Sequence, residues 1–162
     1  SRGLGDVYKR QFPFLIDEFD HEIFFYEPFY GAFPKDKIKN KPTEKISLEE
    51  IEQEKLLLLE DGHCLRDHAL AACQRETPDT YTTLSATSLL TILQMVGQGF
   101  GLTLLPEMVV KKGALPQNVA VRPFKKQVAK RGIGTIWSPR SDQIATIKAL
   151  NDFLRDFFKK NK

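Results

Sequence analysis

Four consecutive leucines, Leu56–Leu59, lie between Lys55 and Glu60. The run is too short for a stable helix and has no polar side to turn towards water. It fits a strand buried on both faces, and such strands occur in sheets covered by helices on each side. The flanking sequence keeps to the same plan. Upstream, Ser47-Leu48-Glu49-Glu50 spells a capping box, with a serine at the N-cap and a glutamate three residues later. Downstream, Cys64 to Arg75 has helical composition, and Tyr81 to Ala86 reads as the next strand. Thr87-Ser88 caps a second helix whose Leu89, Ile92, Leu93 and Val96 recur at helical spacing. Gly97, Gly99 and Gly101 end it, and Leu102 to Leu105 forms another buried strand closed by Pro106.

The two ends of the chain add to this pattern. His21 to Phe33 is aromatic and strand-like, read as two short extended pieces interrupted at Pro28, with a polar loop from Pro34 to Lys45. Gly132 to Trp137 is a further strand. Asp142 to Lys159 is an amphipathic helix with Ile144, Ile147, Leu150, Leu154 and Phe157 on one face. Strands alternating with helices predict an α/β fold with a mainly parallel sheet. Ser1 to Gln11 lacks Met and periodicity; it reads as a non-native leader and is set aside from the fold.

Composition narrows the function. The net charge of +3 over 162 residues is scattered, and the only dense basic runs are Lys125-Lys126 and the tail Lys159, Lys160 and Lys162. That is not the clustered footprint of a DNA-binding module. No apolar run is long enough to span a bilayer and no signal peptide opens the sequence, so the expected location is the cytoplasm. Two cysteines in a reducing compartment do not make a structural disulfide framework.

Those cysteines sit in the segment LLLLEDGHCLRDHALAAC, residues 56–73. After the Gly62 turn, Cys64 stands at the start of the expected helix. Unpaired N–H groups and the positive end of the helix dipole stabilise a thiolate there. His63 and Arg66 flank it, and both lower a thiol pKa. Asp67 has several open roles: orienting its neighbours, capping the helix or hydrogen-bonding a bound oxidant. Cys73 lies nine residues on; a continuous helix would separate the two by roughly 13–14 Å along its axis. A disulfide needs Cα atoms about 4.4–6.8 Å apart, so bridging them would require unwinding. On residue types alone a second reading stands beside this one, in which both cysteines are small buried hydrophobes. Neither the cysteine spacing nor His68 makes a four-ligand zinc set, and His21 carries no signal. No metal or cofactor is expected.

EDGHCLRDHAL, with its second cysteine nine residues after the first, resembles the redox segment of OxyR-type peroxide sensors. ATSLLTILQMVGQGFGLTLLPEMVV resembles the helix, glycine turn and LLP strand of LysR-type effector domains. The resemblance implies a periplasmic-binding-protein-like (type II) α/β effector domain of a LysR-type transcription regulator. Residues of about 27–135 would form a largely complete second lobe. Residues 12–26 and 136–162 would be the remnant of a truncated first lobe, and the N-terminal winged helix-turn-helix would be absent. It implies a non-enzymatic sensor of hydrogen peroxide, with Cys64 peroxidatic, Cys73 resolving, and a disulfide between them as the switch. His63, Leu65 and Asp67 would help bind peroxide, Arg66 would support the thiolate, and Thr87 and Ser88 would face an effector cleft. The implied partners are DNA through the missing domain, RNA polymerase, and further copies in a homodimer or homotetramer. One position departs from the pattern: Ser138 comes after Trp137 where OxyR-type proteins place an arginine, and Arg140 is the nearest replacement. The alternative function is a LysR-type effector domain that binds a small anionic metabolite without a thiol switch.

Overall fold

The computed structural model describes residues 7–12, 19–38, 44–60, 70, 83–113, 115–125 and 130–160. The strands are β1 (Val7–Phe12), β2 (Asp20–Pro34), β3 (Leu56–Leu59), β4 (Thr83–Ala86), β5 (Thr103–Pro106), β6 (Val119–Pro123) and β7 (Lys130–Trp137). The helices are α1 (Leu48–Glu52), α2 (Leu89–Gly97), α3 (Glu107–Lys111) and α4 (Ile144–Lys160). The chain divides into two compact units. Unit 1 comprises Ser1–Glu27 with Arg131–Lys162, and unit 2 comprises Pro28–Lys130.

In unit 2, β3 and β4 pair in parallel, and β3 bridges in parallel to Leu102 at the head of β5. The second half of β2 runs antiparallel to both β5 and β6. The leucine run is buried on both faces, as its composition predicts. Leu56 and Leu58 join Phe29, Phe33, Ile46, Ile51, Leu102, Leu104 and Leu70 on one side. Leu57 and Leu59 join Ala32, Leu105, Val119 and the inner residues of α2 (Ile92, Leu93, Val96) on the other. Apart from Ala32, each of these side chains contributes on the order of 1.5–3 kcal/mol by leaving water.

Beside this core, Arg122 on β6 ties down the segment that opens α1. The guanidinium donates to the backbone carbonyls of Glu44 and Lys45 and to the Glu50 carboxylate, and it lies over the Phe33 ring. Glu50 also closes the capping box with Ser47. Arg122→Ala would remove the donor from two backbone carbonyls and one of the partners of the Glu50 carboxylate. Loss of about 2–4 kcal/mol in a denaturant titration is expected, with Arg122→Lys recovering only part of it.

In unit 1, β1 pairs antiparallel with β7 from Val7↔Trp137 to Phe12↔Gly132, and β7 neighbours β2. On α4, Ile147 and Asn151 face inward. Asn151 Oδ1 accepts a 2.8 Å hydrogen bond from Thr135 Oγ1, and Phe158 packs against Phe24 and Phe25. Glu27 and Arg131 form a buried ion pair at 2.7 Å.

Four expectations are corrected here. The sheets are not mainly parallel: among the described strands β1–β7, β2–β5 and β2–β6 pair antiparallel, and the one parallel ladder is β3–β4, because β2 and β7 are long strands that return beside their partners instead of crossing over. β2 is one 15-residue strand, not two pieces. Its ladder with β5 begins at Phe29, so the missing N–H of Pro28 falls outside it. The segment set aside from the fold contributes β1, whose backbone pairing covers an edge of β7. The inner face of α4 is also rotated from the expected one: Leu150 and Phe157 are exposed, and a polar residue, Asn151, takes an inner position because Thr135 satisfies it.

Candidate functional site

The parallel strands of unit 2 end together. β3 and β4 are in register through Leu59↔Ala86, and the Glu60 N–H donates to the Ala86 carbonyl at 3.1 Å. β5 lies on the other side of β3. The Leu57 N–H donates to the Leu102 carbonyl at 2.8 Å, and Thr103 Oγ1 donates to the Leu57 carbonyl at 2.8 Å. In open α/β sheets, ligands bind just beyond such carboxyl ends. The residues placed there by the three strands are Glu60 after β3, Thr87-Ser88 after β4 and Glu107 after β5.

Ser88 is the N-cap of α2; its hydroxyl accepts from the Leu90 N–H at 3.2 Å. Thr87 is exposed beside it. The first turn of α2 has no acidic residue, so the positive end of its dipole is not offset within the helix. Glu107 opens α3. Its Oε1 accepts from the Tyr30 hydroxyl at 3.4 Å, and its Oε2 lies 3.0 Å from Lys111 Nζ. Withdrawal from water raises the Tyr30 pKa most; the charge and hydrogen bond of Glu107 raise it further, and Lys111 offsets part of this. The phenol therefore stays a neutral donor at neutral pH. Tyr30 and Glu107 are 77 residues apart in sequence, and only the β2–β5 ladder brings them together.

Of the residues that the sequence singles out, Thr87 and Ser88 stand at this carboxyl edge. His63, Cys64, Leu65, Arg66, Asp67 and Cys73 lie outside the described residues, as does His68. They belong to the connection between the paired strands β3 and β4. One described residue within it, Leu70, is buried with Leu56 and Leu58. In unit 1, Ser138 Oγ accepts from the Arg140 N–H at 3.2 Å, and Arg140 is exposed. His21, also in unit 1, is exposed at the start of β2. Among the described residues, no group of three or more His, Cys, Asp and Glu side chains gathers to hold a metal. No helix among them is long and apolar enough to cross a membrane. Sequence reasoning passed over Tyr30, Glu60 and Glu107; the available signal was a glutamate directly after two of the three strand ends.

Residues 5–159 match the family model described as the LysR substrate binding domain. A hydrogen peroxide-inducible genes activator of Dickeya chrysanthemi is 38% identical over 113 residues, which are 70% of this chain and 37% of that protein. The DNA-binding transcriptional dual regulator OxyR of Escherichia coli K12 is 38% identical over 112 residues, 69% of this chain and 37% of that protein. This chain thus spans little more than a third of the length of these relatives. The reduced form of the OxyR2 regulatory domain from Vibrio vulnificus superposes with a TM-score of 0.76 at 31% identity, covering 93% of this chain and 71% of that one. A cysteine-variant OxyR from Corynebacterium glutamicum, described as H2O2-bound, gives 0.77 at 26% identity, covering 96% and 49%.

Proposed function

The chain belongs to the LysR substrate-binding domain family, and from that premise we propose that it is a peroxide-sensing regulatory domain whose switch is a disulfide between Cys64 and Cys73. Its fold is the mixed α/β, periplasmic-binding-protein-like fold of OxyR regulatory domains. The observation that carries the proposal is the GHCLRD segment at residues 62–67 with its second cysteine, set between two strands whose ends are pinned together. The peroxide-bound neighbour of the same fold supports the choice of oxidant.

The chemistry balances without a cofactor. The Cys64 thiolate attacks one peroxide oxygen and the O–O bond breaks. The departing hydroxide takes up a proton as water, and Cys64 becomes a sulfenic acid. The Cys73 thiolate then attacks that sulfur and the S–O bond breaks; the hydroxide released takes up a proton as a second water, and the disulfide forms. His63, Leu65, Arg66 and Asp67 are proposed to bind the peroxide and stabilise the thiolate, and Thr87 and Ser88 to border the cleft. In the whole protein, we assign DNA binding to a separate domain, with RNA polymerase and further copies of the chain as partners and the cytoplasm as the location. The reaction is a stoichiometric switch rather than turnover.

The test is a peroxide titration with disulfide mapping by mass spectrometry. A Cys64–Cys73 bond is expected at micromolar peroxide, and Cys64→Ser should abolish it. Absence of the bond in the wild type would sink the proposal. The rival reading, a small anionic metabolite bound without a thiol switch, draws on the α2 N-terminus at Ser88. It gains only if a metabolite response survives in Cys64→Ser.

A further inference from the structure

We propose that the outer face of α4 docks a second copy of this chain. The two α4 helices pair antiparallel about a twofold axis, so that the aromatic half of each covers the alanine half of the other. The pairing gives a surface to the further copies named in the proposed function and rests on that part of it, while the thiol switch stands apart. All the residues concerned belong to unit 1.

α4 turns Ile147 and Asn151 inward, and a surface helix ordinarily sets charged and polar residues on the opposite side. Here that side carries a row of apolar ones. Ala145, Ala149, Phe153 and Phe157 recur at intervals of four, a spacing that lines them up as a single ridge about 18 Å long. All four are exposed, Phe153 by 65% and Phe157 by 49%, and Leu150, 40% exposed, lies beside them. The Phe153 and Phe157 rings stack with centroids 6.5 Å apart, and Phe158 meets Phe157 edge-on at 5.5 Å. The aromatic half of the ridge is therefore held in shape before a partner arrives. A contiguous apolar patch of this kind marks an interaction surface.

The order small, small, large, large selects the partner. A second α4 laid antiparallel, with Phe153 opposite the partner's Ala149, also brings Phe157 opposite the partner's Ala145. Each ring then enters the gap over a small residue, and the twofold axis repeats both contacts. The same register carries Lys160 to the partner's Asp142, which lies two residues before α4 begins; both side chains are exposed. Parallel pairing would instead set ring on ring, alanine on alanine and like charge on like charge. Antiparallel helix dipoles also offset each other. At the shallow crossing of about 20° usual between bundled helices, the two ridges stay in reach along the whole face.

Area sets the strength. The exposed parts of Phe153, Phe157 and Leu150, with the two alanines and the Lys160 stem, offer about 400–500 Å² on each copy. The total of about 800–1,000 Å² is at the low end for specific association, so a reversible dimer with a Kd on the order of 10–100 µM is expected. The Asp142–Lys160 pairs sit at the rim, where they fix direction and register and add little affinity.

The test is sedimentation velocity of the reduced 162-residue chain over a concentration series that brackets this Kd. A reversible monomer–dimer equilibrium is expected. Phe153→Asp and Ala149→Glu, both at exposed positions, should each weaken it at least about tenfold, with thermal melts verifying that the variants fold. Lys160→Asp should weaken it about threefold at low salt by setting like charges together, and adding Asp142→Lys should restore it. A wild type that stays monomeric throughout overturns the proposal and leaves the face to a partner of another kind. A dimer indifferent to Phe153→Asp overturns it too, as does one weakened by Phe153→Asp but not by Ala149→Glu. If either variant does not fold, the charge swap decides, and absence of rescue overturns the antiparallel pairing. Disulfide formation is mapped separately, so failure of the dimer and failure of the sensor function are distinguishable.

Discussion

Replacing Arg131 with alanine is expected to destabilise the chain by about 3–5 kcal/mol, seen as a shift of the denaturation midpoint to lower denaturant. Arg131 Nε lies 2.7 Å from Glu27 Oε2, and the two side chains are 8% and 1% exposed. Both charges have given up most of their hydration. The ion pair makes little net contribution compared with a well-packed apolar pair, yet removing one member leaves a carboxylate buried beside apolar strands. The double replacement Glu27→Leu with Arg131→Met should therefore recover most of the loss. Equal damage from the single and double variants would show that the pair is not coupled.

Gly101→Ala is expected to cost about 3 kcal/mol, by overpacking of backbone against backbone. A Cβ built on Gly101 overlaps the Lys55 carbonyl oxygen and presses on the Leu57 side chain. That carbonyl accepts the Leu102 N–H at 2.9 Å, part of the seam that joins β3 to β5. No side-chain rotation relieves the overlap, so β3 must shift, and with it the strand end that leads to Cys64. Gly99 makes the control. It has φ of 86° with open space around it, so Gly99→Ala costs only the strain of the left-handed conformation, about 1–2 kcal/mol. Thermal melts of the two variants should separate steric overlap from backbone strain; a Gly101→Ala melt no worse than that of Gly99→Ala would refute the overlap.

The features legible in the sequence are those set by neighbours along the chain. The Leu56–Leu59 run is read correctly because burial on both faces leaves no place for a polar residue. The Ser47–Glu50 capping box and the Ser88 cap are local hydrogen bonds between residues two or three apart, and both are present. What escaped depends on long-range pairing. Glu27 and Arg131 are 104 residues apart, and each alone reads as a surface charge. Arg122 reads as one more exposed arginine until β6 lies beside the segment that enters α1. The register of α4 was misread because its apolar residues wrap more than one face, while Asn151, the residue that marks the inside, is polar. For the candidate site, the family was legible and the Ser88 cap with it, whereas the acidic strand ends required knowing which strands are neighbours.

The division of the chain into units also sets an order of events during synthesis. Unit 2 is one continuous stretch, Pro28–Lys130, whereas unit 1 needs residues from both sides of it. Pro28–Lys130 leaves the ribosome before Arg131–Lys162, so its parallel strands can pair while α4 is still unmade. Unit 1 closes only after Arg131–Lys162 emerges, and its β1–β7 ladder joins positions as far apart as Val7 and Trp137. Contacts of such sequence separation form slowly. The nascent protein would thus carry one assembled unit while the other waits for Arg131–Lys162.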